Sequence, residues 1–219
     1  MKNRNLITLT LSALAILGLA LIVIGYLAPW VPHKTAALTL IGPDLSAFAR
    51  AFPHVQRTLF HAPFIAASIL TALTASRAES GWFRWTVAIL TATLPPAVLL
   101  SPIAIGAYQA LGGSTGFTLA PQDRTLVILV GLGSLLTLLG PFGRNVRPWI
   151  RTAAGIIVAL LGFAPALWQY GKLLPHVEEV YGRSVGIGWG LVVCVLGFVV
   201  NRTACILMDR YVPPNPGQS

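Results

Sequence analysis

From Leu6 to Ala28 the chain carries no charged side chain, and long apolar stretches recur along most of its remaining length. A run of roughly 18 or more such residues is long enough to cross the ~30 Å hydrocarbon layer of a membrane as a helix. Composition agrees. Of 219 residues, 55% are hydrophobic and only 10% charged, whereas a soluble domain carries about 25% charged residues to face water. A water-soluble globule is excluded. The runs predict an all-α, polytopic helical membrane bundle of about six transmembrane helices, forming one domain over 1–211. The expected spans are about 6–28, 59–76, 83–107, 125–141, 148–170 and 186–208. The second is short and opens on His61 and Pro63, so a five-crossing alternative with that segment re-entrant stays open.

Lys2 and Arg4 precede the first run as a signal peptide's basic region would, but the run is too long for a cleaved signal, and no small-residue cleavage site follows it. It reads as an uncleaved first helix. The net charge of +9 does not point to nucleic acid, because the basic residues flank apolar runs instead of forming a patch with interleaved aromatics. With the N-terminus inside, Lys2, Arg4, Arg77, Arg84, Arg144, Arg147, Arg151, Arg202 and Arg210 are internal. Lys34, Arg50, Arg57, Arg124, Lys172 and Arg183 are external. That excess predicts cytoplasmic termini, and the compact loops and absence of organelle signals lead to the expectation of a plasma (inner) membrane. Trp30, Trp82, Trp85, Tyr108, Trp149, Trp168, Tyr170 and Tyr181 fall near the span ends, where aromatic belts sit.

The first outer connection is too apolar for a free linker. Ala36–Ile41 suits a short strand, and Asp44 suits the N-cap of an interfacial helix, Leu45–Phe52, whose apolar face holds Leu45, Phe48, Ala49 and Phe52. The tail 212–219 is proline-rich and polar, and is expected to be disordered. A faint internal repeat joins Gly131, Gly133 and Gly140 with Gly188, Gly190 and Gly197, residues that let helix backbones approach closely. Cys194 and Cys205 lie about 16 Å apart on one helix and cannot bond each other.

Three features could carry chemistry. His33, His54, His61 and His176 all map to the outer side, and imidazole with carboxylate suits a divalent metal, while histidine also ligates haem. His54, His61, His176 and Glu178 form the candidate ligand set, although no recognised ligand spacing occurs. Pro95 and Pro96 are expected to break the third helix, and with Thr91 and Thr93 they outline a possible path for a neutral solute. Arg144, Arg147 and Arg151 are candidate contacts for anionic lipid. Arg151 and Arg202 are expected to snorkel toward headgroups, leaving no ionisable group in mid-helix. No nucleophile constellation appears; Ser114 sits in a glycine-rich turn without a base. No nucleotide-binding fingerprint occurs either. The expectation is a non-catalytic membrane protein acting as a subunit or auxiliary of a larger membrane complex. The alternatives are a neutral-solute transporter, and a redox protein with metal or haem at the outer histidines.

Overall fold

A computed structural model describes residues 2–32, 39–103 and 120–211, with side chains from Leu6 onward. His33, residues 36–38 of the expected strand, the 104–107 end of the third span, Tyr108, Ser114 and the 212–219 tail lie outside the described residues. The described chain is almost entirely helical: α1 (Lys2–Leu27), α2 (Gly42–Phe48), α3 (Ala62–Ala75), α4 (Gly81–Leu99), α5 (Pro121–Leu139), α6 (Pro148–Tyr181) and α7 (Trp189–Tyr211). Two strands, β1 (Pro29–Val31) and β2 (Leu40–Ile41), pair antiparallel. A 3-10 turn, Arg57–His61, leads into α3 and another, Gly140–Asn145, extends α5.

Five segments are long and apolar enough to cross a membrane: Leu6–Leu27, Arg57–Ala75, Pro121–Asn145, Pro148–Tyr181 and Trp189–Tyr211. Helix directions place a further antiparallel helix between two of these segments. Gly133 of α5 faces Ile65 of α3 and Gly140 faces Ala72, so α3 and α5 run parallel. Two successive parallel helices need a return between them. α4 is that return, because Ser134 of α5 bonds to Ala92 and Phe142, just past α5, meets Trp85 edge to face, which sets α4 antiparallel to α5. At 19 residues it rises about 28 Å. We call the end where α1 begins and α7 finishes the base, and the opposite end the crown.

The second span contains a continuous helix, Ala62–Ala75, with no reversal of the chain inside it. α3 is the central helix: 67% of its apolar window is buried, against 22–50% in the other four segments. Small residues on α3, Ala66 and Ala67 with Leu70, meet α6 and the main core. A helix sheltered by its neighbours needs less apolar character than one facing lipid, which is why this span looked weakest in the sequence.

α1 and α7 pack antiparallel at the closest range in the bundle. A Cβ on Gly25 would lie 2.3 Å from the Cys194 nitrogen, one on Gly18 2.5 Å from the Asn201 nitrogen, and one on Gly197 2.6 Å from the Ile22 nitrogen. The seven-residue steps Gly18–Gly25 and Gly190–Gly197 keep both glycine pairs on the shared seam. Gly133 and Gly140, the other half of the faint repeat, repeat the device against α3.

α6 departs most from expectation. Instead of ending near Tyr170 it continues to Tyr181, where Gly182 at φ +63° closes it with N–H bonds back to Glu178 and Glu179. Pro175 lies inside it and frees only the carbonyl of Gly171, an exposed residue. Trp149 and Trp168 are both about two-thirds exposed and stand about 28 Å apart along this helix, close to the thickness of a hydrocarbon layer. The remaining turns, from Gln169 to Tyr181, reach about 20 Å further. They hold the crown: Leu173 and Val177 join Val31, Leu45, Ala49 and Val55 in one buried cluster continuous with the bundle core.

Within the crown, α2 starts at Gly42, not Leu45. Pro43, fixed at a helical φ and lacking an N–H, fits the first turn. Asp44 is therefore inside the helix and accepts a 3.4 Å bond from the Ile41 N–H instead of acting as the N-cap. Trp30 and Tyr170 are buried and meet edge to face, the Tyr170 hydroxyl donating to the Trp30 carbonyl at 3.1 Å. They belong to the core, not to the aromatic belt.

Gly25→Ala should cost about 1–3 kcal/mol, because its methyl must push two backbones apart. Gly131→Ala, with nothing within 4 Å of the added carbon, should be neutral or stabilising by up to about 1 kcal/mol. Reversible unfolding of both variants in mixed micelles checks the contrast.

Candidate functional site

The most unusual chemistry lies at the base, where the last turns of α3 and α7 meet the first turns of α6. Asp209 is 8% exposed and accepts from two guanidinium groups. Oδ1 takes Arg151 Nη2 at 2.6 Å and Arg77 Nε at 3.3 Å. Oδ2 takes Arg77 Nη2 at 2.9 Å and the Thr152 hydroxyl at 2.9 Å. Arg77 also donates to the Leu73 carbonyl at 3.0 Å. This network ties three helices together through one carboxylate.

Two turns deeper on α7 lies Arg202, itself only 8% exposed. Its Nε donates to Asn201 Oδ1 at 3.0 Å and its Nη2 approaches Cys205 Sγ at 3.4 Å. Asn201 in turn donates to the Ala15 carbonyl at 2.9 Å, anchoring the pair to α1. The guanidinium lies against Gly155 of α6, where any Cβ would overlap Nη1 at 1.8 Å. Arg202 therefore does not snorkel, and α7 does carry an ionisable group in mid-helix. Arg151, expected to reach headgroups, turns inward to Asp209. Asp209 is the lone acid in the α7 sequence and stands seven residues from Arg202. That spacing on one face was the available signal.

Of the three proposed lipid-contact residues, Arg147 is exposed and Arg144 Nη1 donates to the Glu79 carbonyl at 3.1 Å. The proposed metal ligands are brought together only in part. His54 and His176 have ring centroids 4.9 Å apart, and Phe52 packs on His176 at 4.4 Å. His61 is buried elsewhere, sharing a 2.7 Å hydrogen bond through Nδ1 with the Tyr26 hydroxyl. Glu178 accepts from the Ser184 hydroxyl at 3.1 Å and the Val185 N–H at 3.0 Å. Among the described residues no group of three or more His, Cys, Asp or Glu side chains comes together to hold a metal ion.

Pro95 and Pro96 do not break α4, which continues through them to Leu99. Pro96 cannot donate to the Ala92 carbonyl, and Ser134 of α5 takes that acceptor at 2.7 Å instead. Thr91 and Thr93 donate to carbonyls of their own helix, Val87 at 2.7 Å and Leu90 at 3.0 Å. The polar groups expected to line a path are thus engaged within the α4–α5 pair.

Comparison with known proteins finds no matching family model, no similar curated protein and no similar solved structure.

Asp209→Asn leaves two poorly exposed guanidinium groups without their counter-charge and should cost about 3 kcal/mol or more. Glu79→Gln, at an exposed turn, should change stability by less than about 0.5 kcal/mol. Thermal unfolding in detergent distinguishes them.

Proposed function

We propose that the chain is a non-catalytic, multi-pass protein of a plasma (inner) membrane, acting as a subunit or auxiliary of a larger membrane complex. The observation that carries this reading is the crown. α6 runs as one helix through and about 20 Å past the Trp149–Trp168 interval, and its end is locked into a buried apolar cluster with α2 and β1. A protein that only filled the bilayer would have no use for a rigid platform beyond it. The packed axis supports the same view, because α3 occupies the centre where a carrier would place its substrate.

In the same proposal both termini lie in the cytoplasm. Among the described side chains, Arg77, Arg84, Arg144, Arg147, Arg151, Arg202 and Arg210 lie toward the base. Arg50, Arg57, Arg124, Lys172 and Arg183 lie toward the crown. The positive-inside rule favours a cytoplasmic base. On this reading the crown projects outward as the contact platform.

Glu79→Cys and Arg183→Cys, at exposed positions on the base and crown, should react with membrane-impermeant maleimide from opposite sides, Arg183→Cys from outside intact cells. Labelling of both from one side overturns the topology. For the subunit reading, native mass spectrometry of protein released gently from its own membrane should show another polypeptide at fixed stoichiometry. A bare chain under conditions that preserve other complexes overturns it.

A further inference from the structure

We infer that the basal arginine cluster binds a phosphate group between Arg202, Arg151 and Arg77. The argument begins with charge. Arg77, Arg151 and Arg202 bring three permanent positive charges to one region, with side chains 12% exposed for the first two and Arg202 8% exposed overall. One carboxylate, Asp209, stands among them. A carboxylate offers about four acceptor positions, and Asp209 uses all four on Arg77, Arg151 and Thr152. It has no acceptor left for Arg202, whose hydrogen-bond partners are the Asn201 amide oxygen and the Cys205 sulfur instead of a carboxylate. Two positive charges remain uncompensated in a region screened from water, a state that costs free energy until an anion enters.

Donor geometry points to the same ligand. Arg151 has a buried Nε with no hydrogen-bond partner. Arg202 keeps Nη1, lying against Gly155, outside its bonds to Asn201 and Cys205. Arg202 lies against Gly155, one turn along α6 from Arg151, and its partner Cys205 also contacts Thr74, three residues before Arg77, so the three arginines converge on the same end of the α3–α6–α7 contact. Guanidinium donors in a fixed fork match a phosphate, whose several oxygens can bridge more than one of them. A phosphodiester would neutralise one of the two excess charges and a dianionic phosphomonoester both.

Depth and surroundings favour entry from the base. Gly155, which Arg202 touches, lies six residues inside the exposed Trp149, or about 9 Å along α6. Arg151 and Thr152 occupy the interval between. Arg147 and Arg210, both exposed at the same end, would raise the local concentration of anions. A lipid headgroup and a soluble phosphate offer the same chemistry to these donors.

The test uses the full chain in neutral detergent and native mass spectrometry with three added lipids: phosphatidic acid, phosphatidylglycerol and phosphatidylcholine. Retention should follow phosphatidic acid over phosphatidylglycerol, with phosphatidylcholine least retained. Arg202→Gln should lower retention of the anionic lipids at least about tenfold, as expected when one member of a buried charge pair is removed. If that variant does not fold, Arg151→Lys preserves the charge beside Asp209, removes the Nε donor and should lower retention in the same way. Arg183→Gln, at the exposed crown, should leave retention unchanged. Stabilisation by millimolar inorganic phosphate, lost in Arg202→Gln, with no preference among lipids supports the site and assigns it to a soluble source. Equal retention of all three lipids with no effect of inorganic phosphate overturns the inference. So does retention that survives both Arg202→Gln and Arg151→Lys, or is lost with Arg183→Gln.

Discussion

The architecture depends on how closely α1 and α7 can approach. Inside a bilayer, burying apolar surface against another helix gains little, because lipid is already apolar. Association must come from packing contacts, and these are richest where backbones touch. Gly18, Gly25, Gly190 and Gly197 supply that contact, with separations that any side chain would break. Once α7 is set against α1, Asn201 reaches the Ala15 carbonyl and orients Arg202 beside it. At the other end Gly188 donates to the Trp30 carbonyl at 2.8 Å, fixing β1 against the start of α7. One seam thus sets both the basal cluster and the floor of the crown.

The polar groups follow a consistent logic. Pro96 and Pro175 each leave a helix carbonyl without its usual donor, and the bilayer offers no water to take one. In α4 the neighbouring Ser134 takes the Ala92 carbonyl; in α6, Pro175 frees the carbonyl of Gly171, an exposed residue beyond Trp168. The result is continuous helices where proline alone would suggest breaks. Ion pairs are likewise placed toward the ends of the bundle: Arg57 with Asp123 toward the crown, Arg77 and Arg151 with Asp209 toward the base. Arg202 stands outside this pattern, a charge held deep with neutral partners, and it marks the base as the part of the bundle where packing alone does not account for the residue choice.

The sequence by itself determined the class of molecule and the approximate position of its spans, because the free energy of placing apolar runs in lipid is local to each run. It also showed the apolar face of α2 and of the 3-10 turn Ala49–Ala51 that follows it, through Leu45 and Ala49, and the glycine positions that proved to be contact points. Tertiary structure decided the rest. Whether Arg151 meets a headgroup or Asp209 depends on where α7 lies relative to α6, and no spacing within one helix contains that. Whether Pro96 breaks α4 depends on a serine 38 residues later. The four candidate metal-site residues look alike in sequence, yet folding pairs His54 with His176, buries His61 against Tyr26 and commits Glu178 to the chain after α6. The physical reason is common to all three cases: a side chain's own helix sets its level and face, while only the neighbouring helix supplies the group that uses it.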